Sequence, residues 1–226
     1  MNEPRVELSG NPEDSSALLR EVVAHPLEDW QAVYEAFLPV DVETGEQLSR
    51  RIPPSDGQAR RAAVLVPLIL DPEGVEVVYT VRKGDLNDHA GQISFPGGSW
   101  EPGDDSLLHT ALREAEEEID LSPAMVEVIG ELEELYIPPS NFRVSPFVGL
   151  LPAAAEFVID SREVEEVFSA SLQELLSPGA FRKVIWSRDG RDYEVSIFAV
   201  AGYEVWGATA AMTAALLSRL GWKPST

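Results

Sequence analysis

Residues 95–121 (FPGGSWEPGDDSLLHTALREAEEEIDL) constrain the fold most, because a glycine turn leads there into an acidic, amphipathic pattern. Gly97 and Gly98 follow a proline, and such a run cannot continue a regular strand or helix. Beyond them, apolar residues recur every three to four positions, which is typical of a helix that buries one face. The pattern predicts a helix over about 106–119, entered from a glycine turn.

Three glutamates lie on one side of this predicted helix. At about 100° per residue, Glu118 falls only about 20° from Ala111 on the buried face, with Glu114 beside it and Glu117 a little further out. Carboxylates this close repel one another, and an unpaired charge at the rim of a core is costly. The pattern therefore favours a divalent cation or a basic partner at this position. A plain solvated acidic face is the alternative, and Glu116 is expected to point to solvent.

The run REAEEE, from Arg113 to Glu118, resembles the R-E-U-x-E-E core of the Nudix box, in which U is an aliphatic residue. The chain departs from the box in three ways. Asp120 replaces its second glycine, Asp104 or Asp105 stands where its first glutamate is expected, and the glycine-to-arginine spacing is one residue longer. A left-handed helix end at Asp120 would accommodate the first departure. The resemblance implies an active, metal-dependent hydrolase.

Residues 78–98 (VYTVRKGDLNDHAGQISFPGG) are similar to the signature of the coenzyme A pyrophosphatase branch of Nudix hydrolases. The matching positions are Thr80, Arg82, Gly91 and the FPGG run, whereas Lys83 and Asn87 depart from the signature. The similarity implies a small-molecule diphosphate substrate, coenzyme A or an acyl-coenzyme A, cleaved to 3′,5′-ADP and 4′-phosphopantetheine. ADP-ribose, NADH or an oxidised nucleotide are alternative substrates, and a non-catalytic, nucleotide-sensing domain is the alternative from another class.

The metal site implied by the resemblance is made of oxygen donors, which suit Mg²⁺ or Mn²⁺. Its expected ligands are Glu114, Glu117 and Glu118, with the backbone carbonyl of Gly97 or Gly98 as a further donor. These two glycines are also expected to contact the substrate.

Five further side chains are candidates for roles around this site. Arg113 is expected to pair with a loop carboxylate and so to orient its neighbours. Arg82 either binds phosphate, to which its planar guanidinium is suited, or is a surface residue at a strand end. Trp100 either stacks on an adenine ring or packs under the glycine turn. Glu163 and Glu166 lie in a loop-like stretch, where one of them is the general base or both are solvated.

The composition narrows the class of protein. The 226 residues include 17 basic and 39 acidic side chains, and the net charge of −22 argues against nucleic-acid or anionic-membrane partners. The absence of cysteine excludes disulfides, thiolate catalysis and Cys-type zinc sites. No apolar run is long enough to span a bilayer, and the first residues lack the pattern of a signal peptide. We expect a cytoplasmic protein, with a homodimer possible.

The alternation of helical and strand patterns predicts an α+β fold, an α/β/α sandwich with a mixed β-sheet. Residues 1–56 are expected to form a helical N-terminal extension and linker, and 57–226 a Nudix hydrolase domain. The extension is predicted to hold helices at 12–25 and 26–37 with a cap at 14–16, and to cover a sheet edge or form a dimer contact. The predicted strands are 62–70, 75–82, 126–135, 143–150, 183–187 and 193–200, and an amphipathic helix at 207–220 closes the chain.

Overall fold

The computed structural model describes residues 11–48, 59–83 and 92–224, and every structural statement below concerns these ranges. Its helices are α1 (Pro12–Val23), α2 (Trp30–Glu35), α3 (Leu107–Ile119), α4 (Leu172–Leu176) and α5 (Gly207–Arg219), with a 3-10 turn at Pro123–Met125. None of the helices in the described ranges is both long and apolar enough to cross a membrane.

The strands follow one another along the chain in hairpins and longer crossovers. They are β1 (Val40–Asp41), β2 (Arg60–Asp71), β3 (Gly74–Arg82), β4 (Ile93–Ser94), β5 (Gly97–Ser99), β6 (Glu127–Glu131), β7 (Leu135–Ile137), β8 (Phe142–Pro152), β9 (Val164–Ser171), β10 (Phe181–Arg188), β11 (Arg191–Val200) and β12 (Tyr203–Trp206).

The larger sheet is mixed, as the sequence predicts. Its central order is β4-β3-β2-β8-β6, with β5 paired to β2, β7 to β8 and β9 to β3. Strands β2 and β8 run parallel over their whole length, whereas the other pairs are antiparallel. The long β2 therefore lies at the centre, and it carries β5 and its two glycines along one edge.

Side chains of β2 alternate between two hydrophobic cores, one on each face of this sheet. Val66 and Leu68 pack with α1 and α5 in the larger core. Ala63 and Leu65 point the other way and pack against the apolar face of α3. Since successive strand residues face opposite sides, one strand serves both layers. The predicted α/β/α sandwich is confirmed.

A second, four-stranded sheet is a feature that the sequence patterns did not reveal. The predicted strands 183–187 and 193–200 form the antiparallel pair β10–β11, and β11 also pairs with β12 and with β1 from the N-terminal segment. Leu19, Val23 and Phe37 from that segment lie in the larger core. Residues 11–48 thus cover a face of the larger sheet, and their strand β1 pairs along an edge of the second sheet.

Three local predictions are wrong. Helix α1 begins at Pro12 as expected, but its N-cap is Asn11, which accepts from Glu13 N–H at 3.1 Å, and not a residue of 14–16. The predicted strand 126–135 is two strands, since the chain leaves the sheet after Glu131 and returns at Leu135. Helix α5 is not amphipathic: residues 209–217 are buried without interruption. The predicted linker up to residue 56 lies partly outside the described residues.

Candidate active site

Helix α3 is the scaffold of the site. Ser106 caps its start by accepting from His109 N–H at 3.1 Å, and Ala111, Ala115 and Ile119 on its apolar face are fully buried against β2. The helix ends at Asp120 in the left-handed conformation, with φ 55° and ψ 31°, as expected for a residue that replaces a glycine. This arrangement turns the glutamate side of the helix toward β5.

Gly97 and Gly98 form the short strand β5, so the prediction that they cannot continue a strand is wrong. They allow the backbone to approach that glutamate side closely. Gly98 pairs with Ala63 of β2, and a Cβ at position 98 would lie 2.6 Å from the carboxylate of Glu114. Gly97 has φ 156°, and a Cβ there would lie 2.4 Å from the carbonyl oxygen of Ala63. Only glycine fits both positions without displacing a neighbour.

Glu118 is the most buried of the three glutamates, with 3 % of its surface exposed. Gly97 N–H donates to its Oε2 at 3.2 Å, and Nη1 of Arg82 lies 3.4 Å from its Oε1. Burial raises the pKa of Glu118 to about 7, although Arg82 and the Gly97 amide lower it, and the charges of Glu114 and Glu163 raise it further. A carboxylate held at such cost has a strong affinity for a cation.

Glu114 lies beside Glu118 and shares its environment. Burial is the main reason why the pKa of Glu114 is raised, and Arg113 partly offsets this effect. Nη2 of Arg113 lies 2.9 Å from Oε1 of Glu114. The charge of Glu163 raises the pKa of Glu114 as well as that of Glu118, so three carboxylates act on one another here.

Arg113 connects the helix to the loop that precedes it. Its Nε donates to Oδ1 of Asp104 at 3.0 Å, and Asp104 also accepts from Thr110 Oγ1 at 2.8 Å and from Glu101 N–H at 3.0 Å. The bond from Arg113 holds the pKa of Asp104 well below its usual range. Of the two aspartates that the sequence left open, Asp104 is therefore the partner, and Asp105 is exposed.

Glu117 stands apart from the other two glutamates of the box. Its side chain is 61 % exposed and accepts from Nη1 of Arg113 at 3.0 Å. Among the described residues, no three acidic or histidine side chains converge closely enough to cage a metal ion. The donors still fit a divalent cation chemically, because Glu114 and Glu118 offer buried carboxylate oxygens beside a bare glycine backbone.

Glu163 and Glu166 are separated by the structure. The predicted loop is wrong for Glu166, which lies within β9, whereas Glu163 immediately precedes that strand. Lys83 N–H donates to the Glu163 carbonyl at 3.0 Å, which fixes its backbone near Arg82. Glu166 instead hydrogen-bonds Tyr203, and this bond is the main reason why the pKa of Tyr203 is raised. Of these two glutamates, it is Glu163 whose charge raises the pKa values of Glu114 and Glu118.

Trp100 is 38 % exposed and is therefore not buried under the glycine turn. Its Nε1 donates to the Asp104 carbonyl at 3.2 Å, which fixes the ring at the rim of the site. Lys83 donates through Nζ to the Ser161 carbonyl at 2.9 Å. Asn87 and Gly91 of the upstream signature lie outside the described residues.

Several residues that shape the site were missed from the sequence. The loop after β8 caps α3, because Val158 and Asp160 donate backbone N–H groups to the carbonyls of Ile119 and Glu118 at 3.1 and 2.9 Å. Phe95, which precedes the glycine turn, is buried and stacks on Tyr79 with ring centroids 4.9 Å apart. No local pattern could reveal the loop contact, since its partners are about 40 positions apart in the sequence. Phe95 could have been identified, because it is the first residue of the FPGG run that matches the signature.

Comparisons with known proteins place the chain in a family. The NUDIX domain model matches residues 59–189. An uncharacterized Nudix hydrolase, NudL of Yersinia pestis (strain Pestoides F), is 41% identical over 151 residues, which cover 67% of this chain and 75% of the relative. The same values hold for NudL of Yersinia pseudotuberculosis serotype O:1b (strain IP 31758).

Solved structures give a more distant comparison. The MutT protein of Methanosarcina mazei Go1 has a TM-score of 0.47 and 18% identity, and the match covers 73% of this chain and 96% of that one. A MutT/nudix family protein of Enterococcus faecalis also has a TM-score of 0.47, with 17% identity over 75% of this chain and 63% of its own. Nudix hydrolases cleave diphosphate bonds and generally require divalent ions such as Mg²⁺ or Mn²⁺. On the family model and the NudL identity, the chain belongs to the Nudix hydrolases.

Proposed function

We propose that this hydrolase cleaves the diphosphate of coenzyme A or an acyl-coenzyme A, giving 3′,5′-ADP and 4′-phosphopantetheine. The observation that carries the diphosphate chemistry is the burial of Glu118 beside Glu114, against a backbone that only glycine allows. The choice of coenzyme A rests on the similarity of residues 78–98 to the signature of that branch.

The residues proposed to hold a divalent ion are Glu114 and Glu118, with the carbonyl of Gly97 or Gly98 as a further donor. Glu117 would complete the set after a rotation that releases Arg113. When bound, Mg²⁺ or Mn²⁺ would offset phosphate charge and increase the acidity of a water molecule. The buried carboxylates support this proposal, because a cation would offset the burial and, to a lesser extent, the repulsion that raise their pKa values.

The proposed roles of the arginines follow from their contacts. Arg82 is 28 % exposed and bonds Glu118 through one nitrogen at 3.4 Å, and among the described residues its side chain pairs with no other carboxylate. Its guanidinium is therefore proposed to orient a phosphate oxygen. Arg113 bridges Asp104 and Glu114 and is a positioning residue that fixes the rotamer of Glu114.

Glu163 is the proposed general base. It immediately precedes β9, its side chain is exposed, and its negative charge raises the pKa values of both Glu114 and Glu118. An exposed carboxylate can accept a proton from water and release it to solvent, which a buried one cannot do as readily. Glu166 is left out of the mechanism because its carboxylate is engaged with Tyr203.

Product analysis by mass spectrometry tests the proposal. The protein is incubated with Mg²⁺ or Mn²⁺ and, separately, with coenzyme A, acetyl-coenzyme A, ADP-ribose, NADH and 8-oxo-dGTP. We expect 3′,5′-ADP from the coenzyme A reactions and little product from the others. Cleavage confined to another substrate would retain the diphosphate chemistry and refute the coenzyme A assignment. No product in any reaction would favour a nucleotide-binding domain without catalysis.

A further inference from the structure

A row of four side chains crosses the larger sheet next to the glycine strand. Trp100 N–H donates to the Arg61 carbonyl at 2.9 Å, Arg61 is paired with Arg143 in the parallel ladder, and Arg143 is paired with Tyr136. Directly paired residues point to the same face of a sheet. That face is the one on which Ala63, two residues beyond Arg61, packs against α3. The row and the carboxylate cluster therefore lie on one side of the molecule.

Arg61 is an available cation in a strongly acidic chain. Its guanidinium lies 5.6 Å from the centre of the Trp100 ring, it is exposed, and no carboxylate in the described part of the chain pairs with it. Arg143 beside it has only a surface contact of 3.4 Å with Glu134, in which both side chains are 43 % exposed. Such pairs contribute little and exchange readily for a better anion.

Arg60 provides a contrast, because its guanidinium is already engaged. It lies 4.2 Å from the centre of the Phe142 ring and donates to Ser99 Oγ at 3.3 Å, on the opposite face of the sheet. The neighbouring arginines thus differ in role: Arg60 packs on the sheet, whereas Arg61 is directed to the face that carries the active site.

The row is at a suitable distance for one end of a nucleotide. Trp100 lies two residues beyond Gly98, which corresponds to about 7 Å along an extended strand. Its ring is fixed by the bond to the Asp104 carbonyl and still presents a partly exposed surface. A fixed indole beside Arg61, with Arg143 next in the row, combines a stacking surface for a base with donors for a phosphate.

We propose that Trp100, Arg61 and Arg143 form the subsite for the nucleotide end of the substrate. The base stacks on Trp100, and the two arginines bind a phosphate carried by the ribose, in addition to the diphosphate that is cleaved. This inference rests on the proposed function, since a 3′-phosphate on the ribose is the group that distinguishes coenzyme A from ADP-ribose and NADH.

Calorimetric binding of adenosine 3′,5′-bisphosphate and of 5′-AMP tests the subsite without any turnover, because neither ligand contains a diphosphate bond. We expect the wild-type protein to bind the bisphosphate at least about tenfold more tightly than AMP, the factor that charge-assisted bonds to one phosphate supply. Arg61→Ala should abolish this preference and leave AMP binding within about twofold. Arg61→Gln, which keeps most of the side-chain stem, should do the same, and Trp100→Leu should weaken both ligands alike.

Arg182→Ala is the matched control. Arg182 is also exposed, and no carboxylate of the described residues pairs with it, but it lies on β10 of the second sheet. Binding in this variant should equal that of the wild type. The proposal is overturned if the wild type does not prefer the bisphosphate, if neither ligand binds, if Arg61→Ala keeps the preference, or if Arg182→Ala loses it too. A preference that depends on Arg61, in a protein that does not cleave coenzyme A, would refute the proposed function alone.

Discussion

Replacing Gly98 by alanine tests the close approach on which the site depends. The new Cβ would lie 2.6 Å from three atoms of the Glu114 carboxyl group, whereas an ordinary contact is 3.4–4 Å. The carboxylate would therefore have to move by about 1 Å, and a misplacement of that size in a catalytic group reduces turnover by about 100-fold. Stability should change little, because the displaced atoms are the end of a flexible side chain; a strained rotamer costs about 1 kcal/mol.

The assay compares turnover of the best wild-type substrate, at saturating Mg²⁺ or Mn²⁺, with thermal unfolding of the same samples. Gly103→Ala is the matched control, since it lies in the loop before α3 and a Cβ there meets no atom within 4 Å. Its turnover should equal that of the wild type. Full turnover in Gly98→Ala would refute the argument that Glu114 must occupy this position. A large fall in the unfolding temperature would refute the claim that the effect is local.

Four other substitutions probe the Arg113 network, the core and the proposed general base. Asp104→Ala should lower the free energy of unfolding by about 2 kcal/mol in chemical denaturation, because charge-assisted bonds from Arg113 are lost. The pKa of Asp104 is lowered in the folded protein. Its contribution to the free energy of unfolding is therefore fully present above the unfolded pKa of about 4 and decreases as the pH falls below that value. A stability deficit of the variant that is unchanged at pH 2 would contradict this. Tyr79→Phe removes a buried hydroxyl that bonds a threonine of α5 at 3.1 Å, and should lower the free energy of unfolding by about 1 kcal/mol in the same assay. An unchanged free energy of unfolding would show that this hydrogen bond is not made. Glu163→Gln should reduce kcat at least about tenfold and Glu166→Gln should not, and equal turnover in both variants would remove Glu163 from the mechanism.

The sequence predicted features that depend on neighbours along the chain. The buried face of α3, its approximate bounds and its left-handed end at Asp120 follow from a local pattern of apolar residues and from backbone preferences. The longer glycine-to-arginine spacing does not prevent Arg113 from pairing with the loop, because Asp104 reaches it.

Features that depend on tertiary contacts could not be predicted in this way. The second sheet includes β1, which pairs with β11 from about 150 positions away in the chain. Glu163 and Glu166 are three positions apart and similar in pattern, yet only the pairing of β9 with β3 decides which of them faces α3. The burial of α5 on all sides likewise depends on α1 and the second sheet covering it.

Turnover by Glu118→Gln is the most direct test of the central claim, that a buried carboxylate of α3 supports metal-dependent cleavage of a diphosphate. The variant keeps the shape of the side chain and removes the charge whose burial is costly, so thermal stability should be unchanged or higher. We predict that turnover of the best substrate with Mg²⁺ or Mn²⁺ falls by at least about 100-fold. A folded variant with wild-type turnover would show that the metal site and the chemistry lie elsewhere.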